Sequence, residues 1–295
     1  MWRESGHGAR GGLGYNRSVP TSSTRPAALS GRALPANAYL NPLDPAARRD
    51  EWAAARPFSH VVIDHFLQND IIGAIGREFP VYDGDGWYSY DNPLEVKKAL
   101  NNYDKFGATT YRLVQFLYSP AVVAALGELA GCQLFPDIGL NGGGLHAHRR
   151  GGRLNPHLDY SLHPKLGLQR KLNLIMYLTP GWDPAWGGAL GLWAHDAGKN
   201  APGALTTTVD CLFNRALLFD TSQNSWHGLP EPIVCPEGVE RRSLALYYLC
   251  TPGADTPARG RALYAPDKTQ ENDPEVRALI DKRASVTLAQ DVYRK

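Results

Sequence analysis

The chain has 295 residues, of which 43% are hydrophobic and 20% charged, and its 31 Lys and Arg nearly balance 29 Asp and Glu. This is the composition of an ordinary globular protein, and a net charge of +2 gives no electrostatic reason to expect a nucleic-acid partner. The four cysteines lack CxxC spacing, which argues against a zinc knuckle or a disulfide framework. No window approaches the ~20 apolar residues that span a bilayer, so we expect a soluble, cytoplasmic protein without a membrane partner.

Residues 1–40 are predicted to form a disordered tail. Arginines recur there among Gly, Ser, Thr and Pro, and Glu4 is the only acid. Such a segment buries too little apolar surface to offset its ordering entropy. An Arg- and Ser-rich, acid-poor N-terminus is also typical of organelle transit peptides, so targeting is the alternative interpretation, although the Gly and Pro residues disfavour an amphipathic helix.

From residue 41 to about 141 the sequence predicts mainly helices. Asp44-Pro45 can cap and open a helix that ends near Ala55, and Asn69 can cap a second helix with one apolar face. A short β-branched strand is expected between them. Two further helices are expected farther along, and the pair Lys97-Lys98 is interpreted as a solvated helix face. The strand covers residues 60–64, and the two further helices cover residues 93–101 and 119–131.

From Gly142 onward, short apolar or alternating runs are separated by Gly, Pro and Asn, which is typical of an antiparallel sandwich or barrel. Eight strands are expected, near residues 144–149, 154–160, 171–178, 189–194, 205–211, 213–220, 225–227 and 241–249. That number suffices for the two facing sheets of a jelly roll. The predicted fold is α+β, with helices supporting a jelly-roll core from about residue 142 in one domain, 41–252. Residues 253–295 are predicted to be a C-terminal extension with one helix, 273–284, and no catalytic signal.

The tripeptide His157-Leu158-Asp159 carries the strongest chemical signal. Alternate side chains of a strand share a face, so His157 and Asp159 are expected on one side. His227, which follows the turn-forming Asn224-Ser225, can add a third ligand from a distant strand. Two imidazoles and one carboxylate can occupy one face of a six-coordinate metal and leave three positions open, as in non-haem Fe(II) oxygenases. HxD alone is weak evidence, but the downstream residues strengthen it.

A strand-like run that begins at Arg241 follows the three candidate metal ligands in the sequence and places a cation near them. The planar guanidinium of Arg241 suits a bidentate contact with the carboxylate of a small acidic cosubstrate, and Ser243 can add a hydroxyl donor. Arg242 is the rival for this role. Since neighbouring side chains of a strand point in opposite directions, Arg242 must point away if Arg241 and Ser243 point inward.

In this order the residues resemble the Fe(II)/2-oxoglutarate-dependent dioxygenases, specifically the prolyl 4-hydroxylase-like branch, over about residues 57–250. The resemblance implies a double-stranded β-helix, cupin-like in architecture, with His157, Asp159 and His227 as the catalytic iron ligands. It also implies that Arg241 and Ser243 bind 2-oxoglutarate. The cofactors implied are Fe(2+), 2-oxoglutarate and O2, with ascorbate as an optional addition. The reaction expected is hydroxylation with release of succinate and CO2.

Two positions depart from the pattern of that family. His148 stands where many members carry a Tyr that reaches 2-oxoglutarate, and Asn173 stands where prolyl hydroxylases often have Thr. Both keep a hydrogen-bonding side chain, so both are candidate cosubstrate-binding residues. Related halogenases lack the ligand carboxylate, so the presence of Asp159 favours hydroxylation over halogenation.

Two other functions are compatible with parts of this pattern. A zinc hydrolase can use the same three ligands, although Arg241 with Ser243 and the lack of a nearby Glu base argue against it. A non-catalytic, cupin-like metal- or ligand-binding protein is the other alternative. The HxH pair His146-Ala147-His148 resembles the start of a cupin metal site but lacks the Glu that should follow. The substrate is expected to be an amino acid, a peptidyl side chain such as prolyl, or a small metabolite, and the oligomeric state stays open.

Overall fold

The computed structural model describes residues 37–285. The disordered tail and the targeting segment predicted for the N-terminus lie outside these residues, apart from 37–40. Within that short stretch Leu40 is buried and forms a β-bridge with Leu67. Packed structure therefore begins by residue 40, one residue before the domain boundary predicted at residue 41.

Five α-helices are present in the described residues. Each of the four in the N-terminal part has side chains in the main hydrophobic core. The fourth starts with Pro120, whose missing N–H costs nothing at a helix start, and stops at Gly131 in the left-handed conformation, with φ of 70°. The helices are α1 Arg49–Ala54, α2 Asn69–Glu78, α3 Ala108–Leu117, α4 Pro120–Ala130 and α5 Pro274–Ser285.

No single helix among residues 37–285 is long and apolar enough to cross a membrane. Helices α3 and α4 pass that test only as a pair, which is bent by 53°.

Fourteen strands are described; those between residues 142 and 250 follow the predicted segments closely, whereas β14 was not predicted. The predicted strand 154–160 is instead two short strands. In chain order the strands are β1 His60–Ile63, β2 Tyr88–Asn92, β3 Glu95–Leu100, β4 Phe135–Pro136, β5 Gly144–His148, β6 Arg153–Leu154, β7 His157–Leu158, β8 Gln169–Tyr177, β9 Leu190–Asp196, β10 Ala201–Val209, β11 Ala216–Asp220, β12 Trp226–Gly228, β13 Arg241–Cys250 and β14 Leu263–Tyr264.

The strands form two antiparallel sheets that pack face to face. The large sheet has the order β1-β11-β8-β13-β5-β3-β2, with β4 beside β13 and β6 beside β3, and the small sheet has the order β10-β9-β12-β7-β14. Leu217 and Phe219 of the large sheet pack against Leu190 and Leu192 of the small one. This arrangement confirms the predicted jelly roll with supporting helices.

The helix predicted over residues 93–101 is wrong, because this segment is strand β3. Asn92 ends the preceding strand, and its side-chain oxygen accepts hydrogen bonds from the backbone N–H groups of Leu94 and Glu95, which forms the turn of a hairpin. Pairing of β3 with β2 and β5 then overrides the local helix pattern. The alternation of a strand puts Glu95 and Lys97 on the inner face and leaves Lys98 on the outer face.

Glu95 on this strand is the carboxylate of a buried ion cluster. Only 1% of it is exposed, and it pairs with Lys97 at 3.1 Å and with Arg283 of α5. Burial raises the pKa of Glu95, but the charges of Lys97 and then Arg283 outweigh it and lower this pKa from 4.5 to about 2. The cluster ties the hairpin to the C-terminal helix.

Glu95→Gln is expected to lower the free energy of unfolding by about 3–5 kcal/mol at neutral pH, because two cations lose the carboxylate that they share. Since folding lowers the pKa of Glu95, its contribution is present above pH 4.5 and is lost as the pH falls toward about 2. Urea denaturation between pH 7 and pH 3 measures both effects. As a control, Glu51→Gln breaks an exposed ion pair with Arg48 and should cost less than about 1 kcal/mol; equal losses for the two variants would contradict the prediction.

Candidate active site

The two histidines of the predicted triad lie directly opposite each other on neighbouring strands. His157 of β7 is paired in register with His227 of β12, and their ring centroids are 4.2 Å apart. Asp159, just beyond β7, has carboxylate oxygens 3.8 Å from Nε2 of His157 and 3.9 Å from Nε2 of His227. One potential ligand atom from each of the three residues lies within 4.8 Å of the other two. Among residues 37–285, these three residues form the cluster that could hold a metal ion.

Hydrogen bonds to the backbone set the tautomer of both rings. Nδ1 of His157 lies 3.0 Å from the carbonyl oxygen of Asn155, and Nδ1 of His227 lies 2.8 Å from that of Ser225. A carbonyl oxygen only accepts, so each Nδ1 must carry the proton, and Nε2 of a neutral ring is left with a lone pair. Burial lowers the pKa of His157 to about 3 and also lowers that of His227, which keeps both rings neutral.

Asp159 completes a donor set that fits a divalent metal. Burial raises its pKa, but the nearby charges, Arg170 first, outweigh that effect and lower the pKa to about 2. Its Oδ2 atom is buried and has no hydrogen-bond partner among the described residues. Two neutral imidazoles and an ionised carboxylate with a free oxygen are the protonation states that a bound metal requires.

Arg170 is a site residue that the sequence analysis missed. Its guanidinium lies between the rings of Tyr160 and Tyr247, 3.5 and 3.4 Å from their centroids, and Nη1 is 3.3 Å from Oδ1 of Asp159. Simple alternation with Asn173 would have pointed Lys171 inward. The register between β8 and β13 shifts by one residue at this point, so a β-bulge turns Arg170 toward the cavity and Lys171 outward to Asp220.

A second group of polar side chains lies on the large sheet, beside the triad. In register, Arg241 of β13 is opposite His148 of β5, and Ser243 is opposite His146 on one side and Tyr177 on the other. Both ring nitrogens of His148 and the hydroxyl of Tyr177 are buried without a hydrogen-bond partner. Unpaired buried polar atoms are costly, so this group fits a polar ligand such as a dicarboxylate.

Arg241, rather than Arg242, belongs to this group, as the alternation rule predicts. The Arg241 side chain is buried, its Nε donates to the carbonyl oxygen of Gly188 at 2.7 Å, and its guanidinium carbon lies 5.0 Å from the centroid of the Tyr177 ring. Gly188 has a φ of +79°, and a Cβ atom there would lie 2.9 Å from Cδ of Arg241. Arg242 instead contacts Glu240 and the ring of Phe79.

All seven residues predicted for the site line one cavity of about 410 Å³. Of these, Asn173 has a buried Oδ1 atom without a hydrogen-bond partner, so its amide also points to a ligand rather than to packing alone. The seven are His148, His157, Asp159, Asn173, His227, Arg241 and Ser243. Tyr177, which the sequence analysis did not assign to the site, contributes its hydroxyl to the polar group around Arg241.

The C-terminal segment, which was predicted to carry no catalytic signal, forms one wall of this cavity. Strand β14 pairs with β7, and the ring of Tyr264 stacks on His157 with centroids 5.0 Å apart and an angle of 15°. Arg259 donates from Nε and Nη2 to the backbone oxygen of Asp159 at 3.0 and 2.9 Å. Arg283 of α5 lies 4.3 Å from the Tyr264 ring centroid. Residues from beyond the predicted domain boundary therefore position two of the three metal-site residues.

The fold is of the double-stranded β-helix type, and its candidate site has a donor set that fits a divalent metal. Residues 143–249 match the family model described as the 2OG-Fe(II) oxygenase superfamily. This stretch holds His157, Asp159, His227, Arg241 and Ser243, so the likeness to that superfamily covers the candidate site. No curated protein matches the chain.

Solved structures of low sequence identity have a similar fold. The non-haem alpha-ketoglutarate-dependent epimerase SnoN from nogalamycin biosynthesis is 15% identical, with a TM-score of 0.50 over 76% of this chain and 87% of that one. A prolyl-4-hydroxylase from Pseudomonas putida is 18% identical, with a TM-score of 0.49 over 71% of this chain and 100% of that one. HygX from Streptomyces hygroscopicus is 14% identical, with a TM-score of 0.44 over 65% and 83% of the two chains.

Tyr264→Ala is expected to weaken metal binding about tenfold or more, because it removes the ring that holds the His157 imidazole in place, and residues that orient metal ligands typically contribute 10–100-fold to affinity. Titration with Mn(II), followed by electron paramagnetic resonance, measures the change. Tyr264→Phe keeps the stacked ring and should retain affinity within about twofold. Unchanged affinity in Tyr264→Ala would show that the C-terminal segment does not position the metal site.

Proposed function

We propose that this protein is an Fe(II)- and 2-oxoglutarate-dependent hydroxylase of a small molecule or a peptidyl side chain. The observation that carries the proposal is the convergence of His157, Asp159 and His227 at one part of a cavity whose neighbouring wall carries Arg241. Iron, when bound, supplies oxidative decarboxylation of 2-oxoglutarate coupled to hydroxylation, with succinate and CO2 as products.

The residues of the chain bind and orient the cosubstrate. Nε2 of His157, Nε2 of His227 and a carboxylate oxygen of Asp159 are the atoms that would hold the metal. Arg241 pairs with the distal carboxylate of 2-oxoglutarate through its Nη atoms, since its Nε already donates to Gly188. Such a pair is stronger here than in bulk water because Arg241 is buried, where the local dielectric constant is lower.

The other unpaired polar atoms add hydrogen bonds to the same ligand. Burial raises the pKa of Tyr177 to about 12, so its hydroxyl keeps its proton and can donate. Burial and then the charge of Arg241 lower the pKa of His148, so its neutral ring offers one N–H to an oxygen. Ser243 adds a hydroxyl between them, and Asn173 lies farther along the same strand as Tyr177.

A zinc hydrolase is the less favoured function, for a reason that the sequence did not show. Glu95 lies in the cavity wall, so a Glu is present after all. It is held between Lys97 and Arg283, and its pKa of about 2 makes it a weak base. Iron and zinc contents after anaerobic purification separate the two functions.

The fold does not fix the outcome of the reaction. The similar structure SnoN is described as an alpha-ketoglutarate-dependent epimerase, so a protein of this fold need not be a hydroxylase. Asp159 favours hydroxylation over halogenation, because it fills the position that a halide would need.

The decisive experiment measures O2 uptake and succinate formation with Fe(II) and 2-oxoglutarate. His157→Ala and Asp159→Ala should each abolish both, because each removes a metal ligand. Full activity in either variant would overturn the proposed function.

Arg241→Gln is expected to raise the KM for 2-oxoglutarate about 10- to 100-fold, since hydrogen bonds to a charged group contribute about 1.5–3 kcal/mol. The neighbouring Arg242→Gln is the matched control and should change this KM by less than about twofold, because Arg242 faces away from the cavity. The succinate assay at varied 2-oxoglutarate gives both values. Equal effects of the two substitutions would contradict the assigned anchor.

A further inference from the structure

The cavity has a part that neither the metal nor 2-oxoglutarate accounts for. Its wall is formed by the β2–β3 hairpin on one side and by the C-terminal segment around Arg261 and Tyr264 on the other. Tyr88 and Tyr90 of β2 line it together with Glu95 and other residues of β3. This part is where a substrate has room to lie beside the metal site.

The charges that line the whole cavity are strongly unequal in number. Among the described residues, five cations and two carboxylates line it: Lys97, Arg170, Arg241, Arg261 and Arg283 against Glu95 and Asp159. Bound Fe(II) and doubly charged 2-oxoglutarate add equal and opposite charges, so they leave this excess as it is. The lining side chains of residues 37–285 therefore keep a net positive charge after both have bound.

The excess is greatest in the part left for the substrate. The proposed cosubstrate contact occupies Arg241, and Arg170 lies against Asp159 at 3.3 Å. In the remaining part Glu95 is the one lining carboxylate among the described residues, and it is shared by Lys97 and Arg283. Arg261 adds a third cation to the same wall.

Lys97 is the cation best placed to meet a substrate. Its side chain is only 13% exposed, and its Nζ atom lies 3.1 Å from Glu95 and 5.2 Å from the centroid of the Tyr90 ring. Strand β3, which carries Lys97, is paired directly with β5, so His146 of β5 lies beside this part of the cavity. A buried cation is stabilised by an anionic partner, because burial has removed part of its hydration.

We infer that the substrate carries a carboxylate, which binds to Lys97 with Arg261 nearby while the reacting carbon lies at the metal site. The inference rests on the proposed function, because it assumes that 2-oxoglutarate occupies the pocket at Arg241. The cavity volume of about 410 Å³ is near the lower end for ligand pockets and must also hold the cosubstrate. A small carboxylic acid, or a short segment that presents one, fits this space and charge.

The test uses the full chain loaded with Mn(II) and saturating 2-oxoglutarate, with N-acetylglycine and its neutral analogue N-acetylglycinamide as probes. Bound Mn(II) increases the relaxation rate of nearby probe protons, so NMR relaxation reports binding beside the metal. We expect the acid to be relaxed at least about tenfold more strongly than the amide, because it can bond to a charged group. Equal relaxation of the two probes, or none for either, would overturn the inference.

Substitutions on one strand supply the matched comparison. Lys97→Gln should reduce relaxation of the acid to the level of the amide, whereas Lys98→Gln should leave it unchanged, since Lys98 points outward to Asp83. Arg261→Gln should reduce relaxation of the acid severalfold. This variant tests the same wall of the cavity if Lys97→Gln folds poorly. An acid signal that survives in both Lys97→Gln and Arg261→Gln would also overturn the inference.

Binding of Mn(II) and of 2-oxoglutarate is recorded in the same samples, by electron paramagnetic resonance and calorimetry. If neither binds, the proposed function fails and the inference fails with it. If both bind and the acid is not preferred, the inference alone fails and the proposed function stands.

Discussion

The pairing of His157 with His227 across two hydrogen-bonded strands is the constraint on which the site depends. Each ring donates a hydrogen bond from its Nδ1–H group to the backbone carbonyl oxygen two residues earlier. Sheet geometry therefore fixes both the position and the tautomer of each imidazole. Two lone pairs and the carboxylate of Asp159 then converge, with one ligand atom of each residue within 4.8 Å of the others. A metal site held in this way is pre-organised, because the strands are already ordered by the core around them.

Charge explains much of the remaining architecture around this triad. Arg170 is clamped between two tyrosine rings beside Asp159, and Arg241 lies buried among unpaired polar atoms. Glu95 links the β2–β3 hairpin to helix α5 through Lys97 and Arg283. Buried charges are tolerated only where partners are fixed, so the cavity wall is both an electrostatic element and a structural one.

The C-terminal segment lies outside the region that matches the superfamily, yet it contacts two of the three residues of the candidate metal site. Tyr264 stacks on His157, and Arg259 bonds the backbone of Asp159. Asn155, whose carbonyl orients His157, also donates to Ala265 and Gln270. The geometry of the site therefore depends on the docking of this segment. Its tyrosine and arginine side chains line part of the cavity that the matched region does not form.

The sequence by itself determined the jelly-roll core and the chemical kinds of the central residues. Alternation along strands was enough to place His157 with Asp159, and Arg241 rather than Arg242, on the inner face, because period two is a local property. Only the tertiary structure decided what depends on distant pairing. It made residues 95–100 a strand, turned Arg170 inward through a bulge, and brought Tyr264 onto His157 from more than a hundred residues away. Such contacts arise from sheet register and packing between segments far apart in the chain, which no local pattern records.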